Sequence, residues 1–253
     1  MKSNQVTGSR LSPALSLDKA PHRISGMFDA IATHYDLLNS VLSGGLDRQW
    51  RDRAVRELKL SGNAVAVDLC TGTADLALTL IREPGVRRVI GVDFSAEMLR
   101  LGQRKVNEAE VERTVTMVRG DAMSVPVTNT SADAATIGFG IRNVQGPIDT
   151  LGEVRRILRP GGQLAILEFG FPRNILLRNA YNWYFRRVLP LVGKVVSRHS
   201  SAYSYLPASV GAFWEPEEFC KILSSAGFTA VRVTPLTFGI VYLYLAKNPA
   251  VPD

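Results

Sequence analysis

The sequence predicts an α/β protein built on a mostly parallel sheet, and three observations carry that reading. Short apolar runs, several rich in β-branched residues, alternate with segments of helical periodicity. Glycines or acids stand just beyond the carboxyl ends of those runs, where ligands bind in open parallel sheets. The last two runs are separated by so few residues that they pair antiparallel. Strands alternating with helices imply crossover units that cover both faces of the sheet.

Taken in order, Met1 to Pro21 is polar and Ser-rich and reads as a flexible tail, leaving residues 22–253 as a single domain. Residues 22–60 form a helical preface. Met27, Phe28, Ile31, Tyr35, Leu38 and Leu42 follow the 3.6 period, and a second helix from Arg48 to Leu60 follows the Ser43-Gly44-Gly45 break. Strands are expected at Ala64–Leu69, Arg88–Val92, Val115–Arg119, Ala134–Gly138 and Gln163–Phe169. A helix from Asp149 to Leu158 stops at Arg159-Pro160-Gly161-Gly162, and another runs from Glu215 to Ala226. The final strands, Thr229–Pro235 and Phe238–Lys247, complete a seven-stranded sheet with an antiparallel final strand.

Bulk properties narrow the class. The chain has 253 residues, 46% of them hydrophobic, enough for one substantial core. Its longest apolar runs fall short of the ~20 residues that span a bilayer, and the polar start lacks a secretory signal, so a cytoplasmic protein is expected. Cys70 and Cys220 lie far apart and outside any Cys-x-x-Cys pair, so neither a disulfide framework nor a metal site is expected. The net charge of +7 is concentrated: Phe169 to Trp214 holds no Asp or Glu, and Arg173, Arg178, Arg186, Arg187, Lys194 and Arg198 supply nearly all the excess.

The residues after the strands form one set. Asp68-Leu69-Cys70-Thr71-Gly72-Thr73-Ala74-Asp75 follows the first strand, and Gly72 permits a tight turn there. Asp93 ends the second run, 25 positions beyond Asp68, where a carboxylate accepts from both hydroxyls of a ribose. Gly120-Asp121-Ala122-Met123 follows the third strand and places an acid where an adenine amino group is read. A nicotinamide enzyme would share the acid after the second strand. Its pyrophosphate, however, calls for Gly-x-Gly-x-x-Gly, and Cys70 and Ala74 stand where flanking glycines would help. S-adenosylmethionine has no phosphate, and its cationic end welcomes an acid such as Asp68. Singly, Gly72 reads as a plain turn, Asp93 as a helix cap and Asp121 as a solvated acid; in this order at strand ends they read as a cofactor site.

The chain resembles the C-methyltransferases of ubiquinone and menaquinone biosynthesis. The resemblance rests on Met27-Phe28-Asp29 through His34-Tyr35-Asp36-Leu37-Leu38-Asn39, Trp50-Arg51, the turn Asp68 to Asp75, Gly138-Phe139-Gly140-Ile141-Arg142-Asn143-Val144, Leu158-Arg159-Pro160-Gly161-Gly162, Leu167-Glu168-Phe169 and Tyr203-Ser204-Tyr205-Leu206. It implies a class I S-adenosylmethionine-dependent methyltransferase of Rossmann-like fold, with a helical insertion after the fifth strand. Thr73, Asp93, Asp121 and Ala122 become cofactor contacts by resemblance, joining Asp68 and Gly72. Members commonly carry glycine at some of the positions of Cys70, Thr71 and Ala74; Gly138 replaces a serine of the ubiquinone branch, and Asp47 or Arg48 falls near a frequent family histidine. The turn, with Val92-Asp93-Phe94-Ser95, is more similar to the menaquinone branch, which implies conversion of demethylmenaquinol to menaquinol; a polyprenyl benzoquinol is the alternative.

Methylating an aromatic carbon needs an electron-rich ring held close to the donor, so the reduced hydroquinone is the expected substrate. Arg142 does not deprotonate, so its expected role is phenolate stabilisation and positioning of a water. Asn143 would hold the same oxygen, and Tyr35 would wall the ring or relay a proton. The competing structural readings are an ion pair for Arg142, a helix cap for Asn143 and core packing for Tyr35.

The basic aromatic stretch, residues 173–207, is expected to cover the acceptor pocket and meet an isoprenoid tail and an anionic membrane, peripherally at its inner face. Packing of an amphipathic helix on its own domain competes with that reading. Two rivals stand beside the enzyme reading. One is an RNA methyltransferase, suggested by the charge but lacking an Asn/Asp-Pro-Pro-Tyr string or a placed cysteine, so no nucleic acid partner is expected. The other is a non-catalytic, membrane-associated cofactor-binding protein. The sequence leaves a homo-oligomer open.

Overall fold

A computed structural model describes residues 21–183, 187 and 200–250. The tail, apart from Pro21, and most of residues 184–199 lie outside the described residues. The preface is two helices, α1 (Pro21–Ser43) and α2 (Leu46–Leu58), broken at Gly44 and Gly45, both in the left-handed region. There follow β1 (Ala64–Leu69), α3 (Asp75–Ile81), β2 (Val86–Asp93), α4 (Ala96–Glu108), β3 (Val115–Arg119), β4 (Ala132–Gly138), a 3-10 turn at Ile141–Asn143, α5 (Pro147–Ile157) and β5 (Leu158–Phe169). The chain continues through α6 (Ile175–Trp183), α7 (Ser200–Ala212), α8 (Pro216–Ser225), β6 (Thr229–Leu236) and β7 (Val241–Lys247).

Among the described residues seven strands form one sheet in the order β3-β2-β1-β4-β5-β7-β6. The pairs β1–β2, β1–β4, β2–β3 and β4–β5 are parallel, and β7 runs antiparallel to both β5 and β6. The strand order reverses between β1 and β4, which opens a crevice beyond their carboxyl ends. Period-two alternation gives each face its own core. Val67, Leu69, Ile137, Leu164 and Ile166 pack with Leu151, Ile157, Phe219 and Leu223 on one face. Ala66, Ala134, Ala165 and Leu167 pack with Trp50, Leu58, Leu76 and Leu80 on the other.

Several boundaries differ from expectation by one or two residues, and the two larger differences, at the starts of β5 and β7, have physical reasons. The fifth strand starts at Leu158, because Leu158 already pairs with Ala132; the Pro160-Gly161-Gly162 stretch is taken up as an irregularity before Gln163 pairs with Ala134. The last strand starts at Val241 instead of Phe238, since Thr237–Gly239 makes a 3-10 turn and Phe238 adopts φ 58°.

Candidate functional site

The carboxyl ends of β1, β2 and β4, the loop after β3 and helix α1 line a pocket, placed where ligands bind in open parallel sheets. Ile24 and Phe28 of α1 line it together with Cys70, Gly72, Asp93, Asp121, Ala122, Phe139, Gly140, Asn143 and Val144. Of the expected site residues, Gly72, Asp93, Asp121, Ala122 and Asn143 therefore share one cavity. Asp68, Thr73 and Arg142 stand behind its wall, and the side chain of Tyr35 lies outside the described residues.

The wall is shaped by strained turns. Cys70, Gly72 and Ala74 have φ of 54°, 55° and 68°, and Phe139 has 58°. Left-handed backbone suits glycine, and each non-glycine residue there costs about 1–2 kcal/mol, so the family's glycines mark a geometry that Cys70 and Ala74 hold under strain. A Cβ on Gly140 would collide with Cys70, so the turns after β1 and β4 approach as closely as backbone and side chain allow. Strain of this kind gathers at ligand sites because the surrounding structure must over-determine it.

Asp93 joins the two halves of the pocket. Its Oδ2 accepts from the Gly72 amide at 2.9 Å and its Oδ1 from the Ser95 amide at 2.9 Å, leaving a lone pair on each oxygen. Burial pushes its carboxyl above the ordinary value, against the amides of Ser95, Gly72 and Phe94. Asp121 accepts from the Met123 amide at 2.9 Å, a local turn that fixes the carboxylate at the rim.

Asp68 braces the turn from beneath. Thr136 Oγ1 donates to Oδ1 and Thr71 Oγ1 to Oδ2, each at 2.6 Å. Burial raises its carboxyl to about 6, with Asp93 adding to the rise and Thr136, Thr71 and Arg51 opposing it. The folded protein thus holds a proton that the unfolded chain releases between about pH 4 and 6. Through that window stability falls as pH rises, by up to about 1.4 kcal/mol per pH unit from this group. Asp68→Asn is expected to remove this contribution, giving a flatter stability profile in urea denaturation from about pH 4 to 6.5; an unchanged slope would refute the assignment.

The preface helix is latched across the pocket by two acids not singled out from the sequence as site residues. Ser95 Oγ donates to Asp29 at 2.5 Å, and Thr73 Oγ1 donates to Asp36 at 2.5 Å. Lys105 Nζ bridges Asp36 and Asp75, each at 2.6 Å, and donates to Thr73 at 3.1 Å. The Thr73 hydroxyl is thereby engaged with α1 and α4. The signal for these residues was the pair of acids embedded in Met27–Asp29 and His34–Asp36.

Arg142 is held by Glu168, a third residue outside the expected set. Nη1 donates to Glu168 Oε1 at 2.6 Å and to the Phe139 carbonyl at 2.5 Å, while Nε donates to Ser209 at 3.4 Å. Glu168, with no exposed surface, also accepts from the Arg142 and Phe169 amides. The guanidinium lies over the Phe169 ring, which stacks on Phe139 at 4.5 Å. Nη2 makes no hydrogen bond among the described residues. The geometry shows the ion pair that was the competing structural reading of Arg142, and the side chain does not line the pocket.

The model of the ubiE/COQ5 methyltransferase family matches residues 17–248. The chain is 41% identical over 233 residues to the ubiquinone/menaquinone biosynthesis C-methyltransferase UbiE of Geotalea daltonii, covering 92% of this chain and 99% of that protein. It is 38% identical over 232 residues to the demethylmenaquinone methyltransferase of Lactiplantibacillus plantarum, covering 90% and 97%. A SAM-dependent methyltransferase from Aquifex aeolicus superposes with a TM-score of 0.56 at 18% identity, over 78% of this chain and 88% of that one, a likeness of fold. With the family model spanning nearly the whole chain and relatives this similar along their full length, the chain belongs to the ubiE/COQ5 methyltransferase family.

Proposed function

We propose that the protein methylates a ring carbon of a polyprenylated hydroquinone, demethylmenaquinol, using S-adenosylmethionine as donor. The observation that carries the proposal is that one pocket is lined by Asp93 and Asp121 together with Phe139, Gly140 and Asn143. The donor fits these residues: a carboxylate with free lone pairs suits a ribose. When bound, S-adenosylmethionine supplies an electrophilic methyl on a sulfonium.

The chain's own residues do the rest. Asp93 would hold the ribose hydroxyls, Asp121 and Ala122 the adenine, and Gly72 would let backbone approach the donor. Asp68 and Thr73 act behind the wall, the first as an acid under the turn and the second as an anchor for α1. Arg142, fixed by Glu168 just behind the wall, would direct Nη2 to a ring oxygen and favour the phenolate, which makes the ring carbon more nucleophilic. Asn143 would accept from the other hydroxyl of the same ring.

Exposed side chains in the described part of the basic aromatic stretch support a peripheral membrane contact. Ile175, Leu176 and Trp183 on α6 are exposed, as is Phe238, while Arg173 and Arg178 lie beside them in the chain. No described helix is long and apolar enough to cross a membrane. The decisive assay supplies methyl-labelled S-adenosylmethionine with demethylmenaquinol and, separately, the corresponding demethylated benzoquinol. Label is expected on the naphthoquinol ring; label on neither ring would overturn the proposal, and label on the benzoquinol alone would move it to the other branch.

A further inference from the structure

Helix α7 brings a second orphaned polar group to Arg142. Ser209, buried, accepts from Arg142 Nε and donates to the Leu206 carbonyl at 3.0 Å, so this face of α7 is docked on the guanidinium. Tyr205 stands one turn earlier, four residues before Ser209 and therefore on the same face. Its phenol oxygen is buried and has no hydrogen-bond partner. Among the described residues Asn143 Oδ1 is the one other buried side-chain oxygen or nitrogen in that condition, and it belongs to the residue next to Arg142. Buried polar atoms are almost always paired, so one orphan on the residue after Arg142 and another on the helix face docked on its guanidinium point to a ligand for both.

The two groups differ in what they ask of that ligand. Asn143 Nδ2 donates to the Phe139 carbonyl at 3.3 Å, which leaves Oδ1 as an acceptor that needs a donor. Burial pushes the Tyr205 phenol above its ordinary value, with Arg142 opposing and Glu168 reinforcing, so it stays neutral and keeps a proton to donate. We propose that Tyr205 is an acceptor-binding residue, its hydroxyl donating to a ring oxygen of the hydroquinone while Asn143 Oδ1 accepts from a ring hydroxyl. This rests on the hydroquinone reading above and deepens it. A quinone offers carbonyl oxygens alone and satisfies Tyr205 but not Asn143, whereas the reduced ring satisfies both. The pair therefore discriminates redox state as well as holding the ring.

The test is Tyr205→Phe, which keeps the packing and removes the hydroxyl. With short-tailed demethylmenaquinol, kcat/KM is expected to fall roughly 10- to 100-fold, chiefly through KM. Tm and S-adenosylmethionine affinity should stay at wild-type values, because the hydroxyl has no protein partner to lose. Wild-type kinetics in the variant, with the parent enzyme active, would overturn the Tyr205 assignment alone. A loss matched by weaker cofactor binding or a lower Tm would overturn it in favour of a structural role. A parent protein that methylates neither hydroquinone would remove the function reading and this assignment with it.

Discussion

Glu168→Ala is expected to lower the unfolding free energy by about 3–5 kcal/mol, because it leaves the Arg142 guanidinium buried without its counter-charge. Arg142 is 6% exposed and Glu168 has no exposed surface, so water cannot replace the lost carboxylate without opening the site. Two backbone amides, Arg142 and Phe169, lose their acceptor in the same step. Replacing both partners with apolar residues of similar volume, Arg142→Met with Glu168→Leu, should recover much of the loss, since no charge then remains buried. Urea denaturation of the two variants measures both effects. A deficit below about 1 kcal/mol in Glu168→Ala would show that the pair does not bear the load assigned to it. A double variant that recovers stability without methyl transfer would separate the load the pair bears in the fold from the part Arg142 takes in the reaction.

That pair also shows where reading the sequence reached its limit. Leu167-Glu168-Phe169 was visible as a lone acid ending an apolar strand, and Arg142 as a lone base after the preceding strand. Their pairing, 26 residues apart, follows from the parallel register of β4 and β5, which sets Gly138 beside Leu167. Local pattern carries no such information. The sheet was legible because each strand is a short apolar run covered on both faces, and Gly72 was legible because left-handed turns select glycine. The start of β5 was not, since Pro160-Gly161-Gly162 has the composition of a turn while pairing to β4 has already begun. The preface was readable on its apolar side only. Asp29 and Asp36 act through Ser95, Thr73 and Lys105, partners in distant segments that no helical periodicity reveals.

Asp93→Ala is expected to weaken binding of S-adenosylmethionine, and of its demethylated product, by at least about 100-fold. The carboxylate would offer two acceptor sites to the ribose, and hydrogen bonds to a charged group are worth about 1.5–3 kcal/mol each. It also holds the Gly72 amide, so its removal frees the turn whose backbone must approach the donor. Stability at neutral pH should move much less than affinity does. The folded-state carboxyl is raised, so its ionised form is disfavoured by burial, and removing it relieves that penalty while two amide contacts are lost. Asp93→Asn separates the contributions. Its amide keeps one acceptor oxygen but faces either Gly72 or Ser95 with a donor, so it should lose affinity while retaining the volume of the side chain. Calorimetric titration with the demethylated product reads the affinity without turnover. Near-wild-type binding by Asp93→Ala would place the ribose elsewhere in the pocket, whereas a large loss with an intact Tm would assign Asp93 to the ligand and the strained turn to holding it in place.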